Sequence, residues 1–307
     1  MKKLFLLLAS LSSCFSAVAQ NGPSRPRILG IAQVKILAGN SPVSLRFYSK
    51  TFDLAHDLNR KVPEETFVLN PFQDLWVLPA PAPTPTNLID EIAFSTDDIP
   101  GLRRYLVSRQ MAVSRENISS IGDYYLTVVD PEGHRIGFLQ RRKRAEGPER
   151  PDPPSSSPVT HSTFRLIHAG LIVHDRAAED RFYKDILGFH LYWHGGRKDD
   201  ETSWVDMQVP DGTDWIEYML NVSPNADHHT LGVMNHIALG VPDIHAAEAQ
   251  LRKNGLSGNE EPKIGRGGKW QLNLYDPDDT RVELMEFTPA QKPCCADYTG
   301  PHPGPKQ

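Results

Sequence analysis

The stretch Ile167-His168-Ala169-Gly170-Leu171-Ile172-Val173 decides the reading of this chain, because it recurs. Asn235-His236-Ile237-Ala238-Leu239-Gly240-Val241 repeats its apolar run with a histidine at the same end, 68 residues on. A second pair obeys the same rule. Trp215-Ile216-Glu217-Tyr218-Met219-Leu220 and Arg281-Val282-Glu283-Leu284-Met285 each set a glutamate among hydrophobes, and the two glutamates are 66 residues apart. An imidazole or carboxylate inside an apolar strand is costly unless something pairs with it. A lone histidine on a strand is more often a hydrogen-bonded core residue than a ligand. Two histidines and two glutamates at equivalent places in consecutive repeats instead form a natural set for a divalent metal.

Around these residues each repeat has the same grammar. An apolar strand (167–173, 235–241) precedes a short amphipathic helix, with Ala178, Phe182, Ile186 and Leu187 on one apolar face and Ile244, Ala247 and Leu251 on the other. Asp175 and Asp243 stand where N-caps belong, and Gly188 and Gly255 near the helix ends. Strands 202–209, 214–220, 270–275 and 281–287 follow, separated by turn residues such as Pro210-Asp211-Gly212. The unit reads as βαβββ. Two units side by side can curl their sheets around a shared cavity.

The first half of the chain is related to the second. Phe47-Tyr48 and Phe182-Tyr183 are offset by 135 residues, as are Gln33 and His168; Asp130-Pro131-Glu132-Gly133 and Asp276-Pro277-Asp278-Asp279 are offset by 146. A duplication upon a duplication makes four units. The expected fold class is therefore α+β, with tandem βαβββ modules forming two domains, 30–140 and 164–288. Residues 141–163, opened by Arg141-Arg142-Lys143-Arg144 and rich in Pro and Ser, read as a linker, and 289–307 as a disordered tail.

Residues 1–19 read as a signal peptide: Lys2-Lys3, the apolar Leu4–Ala9, then Ala17-Val18-Ala19 as a cleavage site. The apolar run is too short to span a bilayer. Leu11-Ser12-Ser13-Cys14 offers a competing lipoprotein reading, but ordinary cleavage before Gln20 is preferred. Export to the periplasm or medium is expected either way. The net charge of −5 becomes −7 without Lys2 and Lys3, so nothing in the composition favours nucleic acid. Of the cysteines that remain, Cys294 and Cys295 are adjacent and could close only a vicinal disulfide or pair with another chain. They read as incidental to the tail.

The segment 167–189, with His168, Phe182-Tyr183 and Leu187-Gly188-Phe189, resembles the opening of vicinal oxygen chelate proteins, the superfamily of glyoxalase I and extradiol dioxygenases. The resemblance is strong over 164–288 and holds in outline over 30–140. It implies paired modules forming a cup around one divalent metal ion (Ni, Zn, Mn, Co or Fe(II)), with His168, Glu217, His236 and Glu283 as ligands. The first domain departs from the pattern: Gln33 stands for His168, Val77 for Glu217, Glu91 for His236 and Gly137 for Glu283. No metal is expected there, and the domain should buttress the second, line its cavity or mediate association. The full ligand set implies a lyase or isomerase acting on a small α-oxygenated molecule, with Glu283 or Glu217 as the base. An iron-dependent extradiol dioxygenase using His168, His236 and Glu283 is the alternative, and a non-catalytic binding protein a third. The cup could close within one chain or across a homodimer.

His228-His229 read as exposed loop residues, Arg266-Gly267-Gly268-Lys269-Trp270 as a hairpin turn, His194–Asp200 as a mobile lid, and Trp193, Trp204 and Trp270 as core or cavity wall.

Overall fold

A computed structural model describes residues 22–56, 65–118, 122–141 and 164–305. The signal segment 1–19 and all but Arg141 of the linker 141–163 lie outside the described residues. The rest forms two eight-stranded mixed sheets, each made of two βαβββ modules. The first sheet comes from β1 (Ile28–Ala38), α1 (Ser41–Arg46), β2 (Ala55–His56), β3 (Glu65–Asn70) and β4 (Gln73–Pro79), then β5 (Ile89–Thr96), α2 (Ile99–Ser108), β6 (Asn117–Ile118), β7 (Tyr124–Val129) and β8 (Arg135–Gln140). The second comes from β9 (Arg165–Ile172), α3 (Arg176–Asp180), β10 (His190–Gly195), β11 (Trp204–Gln208) and β12 (Trp215–Met219). After α4 (His228–Met234) it continues with β13 (His236–Val241), α5 (Ile244–Lys253), β14 (Lys263–Ile264), β15 (Trp270–Tyr275) and β16 (Arg281–Glu286). The strand orders 2-3-4-1-5-8-7-6 and 10-11-12-9-13-16-15-14 are the same pattern twice. In each, the first strands of the two modules pair antiparallel at the centre, flanked in parallel by the modules' last strands. That pairing places first-strand and last-strand residues on one concave face.

The helices start where the caps require. Asp175 and Asp243 accept hydrogen bonds from the backbone N–H of Ala178 and Ala246 at 2.9 Å, and Gly188 and Gly255 take positive φ at the helix ends. One side of the two sheets is a common core joining both domains, with the Phe94 and Phe189 rings edge to face at 5.3 Å. Gln73 fastens β1 to β9, donating to the carbonyls of Ile31 and Leu166 and accepting from Leu166 N–H, each at 2.8 Å. No described helix is long and apolar enough to cross a membrane.

The residues that revealed the duplication meet across the domain seam. Tyr48 donates to Asp276 at 2.9 Å, and Tyr183 donates to Asp130 at 3.2 Å. Each domain thus supplies the phenol that satisfies the other's turn aspartate. Glu132 adds to the seam by accepting from His174 and Asp175 N–H, both at 2.7 Å, and donating its own N–H to Glu179 at 3.0 Å. Burial, then Asp130, pushes the Glu179 carboxyl up to about 8. The folded state therefore holds this proton more tightly than the unfolded chain. Its stability contribution is complete below the ordinary carboxylate range and is lost as pH rises through about 8. Glu179→Gln, which keeps the acceptor for Glu132, should match the wild type in melting temperature at pH 5 and exceed it by roughly 2–4 °C at pH 9. Equal melting curves at pH 9 would show that the carboxyl is not strained there.

Two expectations are corrected. Residues 289–305 lack regular secondary structure but are not a disordered tail. They strap the second sheet: Trp193 Nε1 donates to Ala296 O at 3.1 Å, Gln208 Nε2 to Pro301 O at 2.9 Å and Arg165 Nη1 to Gly304 O at 2.7 Å. The Tyr298 ring packs against Tyr192 at 4.7 Å. Side-chain to backbone bonds of this kind need no periodicity, so a Pro-rich composition hides them. Cys294 and Cys295 form a vicinal disulfide within the strap. The second correction is register: in β4 it is Trp76, not Val77, that stands where Glu217 stands, since Asp74 lies beside Gln33 as Trp215 lies beside His168. Val77 faces the core.

Candidate metal centre

All four residues singled out by the repeat reach the concave face of the second sheet. In β9 the pairing with β13 slips between Leu166 and His168. Leu166 and Ala169 both join the interdomain core, while Ile167 belongs to the cluster on the other side. The irregularity thus re-aims His168 into the cup. β1 slips at the same place, between Ile31 and Gln33. His168 Nε2 lies 3.1 Å from His236 Nε2. Glu217 Oε2 is 3.1 Å from His236 Nε2 and 3.9 Å from His168 Nε2, and Glu283 Oε2 is 3.8 Å from both. His168, Glu217 and His236 each present a ligand atom within 4.8 Å of the others.

Whether a cation fits can be judged from the donors. Burial holds both imidazoles well below their ordinary pKa, so they are neutral and can ligate. His236 Nδ1 lies 3.0 Å from Met234 O, which assigns its proton to Nδ1 and leaves Nε2 as a lone pair facing the cluster. The ring lies flat over Gly170, where a Cβ would overlap it. Glu283 is 3 % exposed, and its Oε1 has no hydrogen-bond partner. Burial raises its carboxyl to about 7, against the pull of Arg281 and with the push of Glu217. Two imidazoles and two carboxylates so arranged fit a divalent ion. One group competes: Arg281 Nη2 lies 2.7 Å from His236 Nε2 and must withdraw for that nitrogen to ligate.

The cluster forms one wall of a cavity of about 660 Å³, lined also by Trp193, Trp204, Trp215 and Tyr298. Among the described residues every lining residue belongs to the second domain or the strap, so the first domain does not line the cavity. Trp270 packs instead on His245, and His228-His229 open α4. The turn 265–269 is the expected hairpin, but its Lys269 is buried in the cavity wall. Asp206 is buried there too, opposite Glu217 across the β11–β12 pair. Both were missed. Asp206 sits in an apolar strand as Glu217 does, and Asn273 occupies the equivalent place opposite Glu283, so the repeat carried a third polar pair.

The first cup is filled differently. Lys35 stands where Gly170 stands, and its ammonium lies 2.9 Å from Glu91, 5.4 Å from the Trp76 ring and 5.3 Å from the Tyr125 ring. Arg135 holds the other Glu91 oxygen at 3.1 Å. A Cβ at Gly137 would come within 2.9 Å of the Ala93 Cβ and close on the Tyr125 hydroxyl, so no larger residue fits there.

Residues 165–284 match the family model of the Glyoxalase/Bleomycin resistance protein/Dioxygenase superfamily. The second domain is thus similar to that superfamily, the vicinal oxygen chelate proteins. A lactoylglutathione lyase of Haemophilus influenzae is 27% identical over 125 residues, covering 40% of this chain and 93% of the relative. A probable chloroplastic lactoylglutathione lyase of Arabidopsis thaliana is 25% identical over 45% of this chain and 40% of its own length. Over the whole fold, the chain is similar to the E323L mutant of homoprotocatechuate 2,3-dioxygenase from Brevibacterium fuscum. That match has a TM-score of 0.65 at 19% identity, covering 91% of this chain and 75% of that one. The 2,3-dioxygenase LapB from Pseudomonas sp. KL28 superposes with a TM-score of 0.64 at 15% identity, over 92% and 96%.

Proposed function

We propose that the protein is a metal-dependent, glyoxalase-like lyase or isomerase that acts on a small α-oxygenated substrate. One observation carries this reading: Glu217 joins the two imidazoles as a further protein donor, 3.1 Å from His236, beside Glu283. His168, Glu217, His236 and Glu283 would hold one divalent ion, which when bound supplies Lewis acidity to two adjacent substrate oxygens. Glu283 serves as the base, taking a proton beside the substrate carbonyl on its unpartnered Oε1. Glu217 is the second candidate for that role. The aromatic walls exclude water around the transferred proton. The likeness to lactoylglutathione lyases supports the reading.

The expected metal content is about one ion per chain, bound by the second domain, because Lys35 fills the first cup. Elemental analysis of protein purified without added metal tests this, and two ions per chain would defeat it. An extradiol dioxygenase is the second reading, favoured by the tandem-domain likeness over 91% of the chain. Oxygen uptake with a catechol would select it; proton exchange on an α-oxo substrate with zinc or nickel, and no oxygen uptake, would select the first.

We further propose an exported location, from Lys2-Lys3 and Ala17-Val18-Ala19. N-terminal sequencing should begin near Gln20, and an intact Met1 or a lipid-modified Cys14 would contradict this cleavage.

A further inference from the structure

Beyond the metal cluster, the cavity holds a second pair of buried polar groups that the proposed chemistry does not use. Asp206 is 4 % exposed and Lys269 2 % exposed, and both line the cavity. The Lys269 ammonium has a single hydrogen bond, to Tyr192 Oη at 3.3 Å, and sits 4.8 to 5.4 Å from the ring centres of Trp215, Tyr298 and Tyr192. Asp206 faces the indole N–H of Trp215, which favours its carboxylate form, but neither Asp206 Oδ1 nor that N–H closes a hydrogen bond of good geometry. Among the described residues Asp206 and Lys269 close no ion pair within 4.0 Å, and burial pushes both towards their neutral forms, the carboxyl up and the ammonium down to about 7. Buried polar groups left open towards a cavity call for a ligand that satisfies them.

The chemistry of the gap selects what can fill it. A carboxylate would meet Lys269 but face Asp206, Glu217 and Glu283. An ammonium would meet Asp206 but face Lys269. A hydroxyl donates to the one and accepts from the other. We propose that Asp206 and Lys269 form a hydroxyl-recognising subsite, and that the substrate is an uncharged, hydroxyl-bearing molecule whose body packs against Trp215 and Tyr298 while its vicinal oxygens reach the metal cluster. This rests on the reading of the cavity as a metal-dependent substrate site.

Hydroxamates present two adjacent oxygens to a metal, so they test the two readings separately. Binding of benzohydroxamate, its 3- and 4-hydroxy derivatives and its 4-carboxy derivative is measured by calorimetry on zinc-loaded wild-type protein. At least one hydroxy derivative should bind about tenfold or more tightly than the parent. That ratio should fall towards one in Lys269→Met and in Asp206→Asn; because it is a ratio within each variant, general weakening of the site cancels. If Lys269→Met does not fold, Asp206→Asn carries the test. Equal affinity of the parent and both hydroxy derivatives for the wild type would mean that water alone fills the gap, and would overturn the subsite. Preference for the carboxy derivative would also overturn it. No binding of benzohydroxamate to the zinc-loaded protein would overturn the metal-site reading itself, and the subsite with it.

Discussion

Glu283→Gln will keep much of its metal and lose turnover by about 10²–10⁴-fold. The amide oxygen of glutamine can still coordinate, but an amide cannot accept the proton that the reaction moves. Glu283 suits the role because it is buried and its Oε1 is unpartnered. His168→Ala and His236→Ala should behave in the opposite way, losing metal first and activity as a consequence. Metal content and rate are to be compared for these three variants and for Glu217→Gln. If Glu283→Gln turns over at the wild-type rate while loaded, Glu283 is not the base, and Glu217 becomes the candidate.

Gly170→Ala should damage the site as severely as removing a ligand, though it touches no donor atom. Gly170 and His236 are directly opposed in the central antiparallel pair, and the imidazole lies over the glycine where a Cβ would overlap it. The ring is also held by Met234 O, so it cannot slide without disturbing that bond. An added methyl in a packed strand costs about 1–3 kcal/mol, and moving an imidazole off its geometry should cost metal affinity roughly 100-fold. Metal titration of the folded variant checks this; an affinity equal to wild type would show that the ring has room to spare.

The cluster was legible because it is written twice: each of its four residues lies in an apolar strand where its polarity is anomalous, and each has a counterpart one module away. The fold followed from the same repeats, with Asp175 and Asp243 capping where expected. What escaped notice had no such anchor. The one-residue slip from Val77 to Trp76 depends on where β4 enters its pairing with β1, which a hydrophobic pattern does not mark. The strap at 289–305 is held by side chains from distant strands, among them Trp193, Gln208 and Arg165. Lys269 reads as part of a turn and becomes a wall residue because the rings of Trp215, Tyr192 and the strap's Tyr298 gather around it.

The lysine in the first cup has a consequence for how the whole molecule meets its surroundings. A bound ion dissociates, and its occupancy follows the free concentration outside. The Lys35 ammonium is tethered by its own backbone to the place above Glu91. It cannot be stripped by a chelator, displaced by a rival ion or starved. One half of the protein is thus assembled whatever the supply of metal. Through the Tyr48–Asp276 and Tyr183–Asp130 bonds it offers that constancy to the half that carries the proposed metal site.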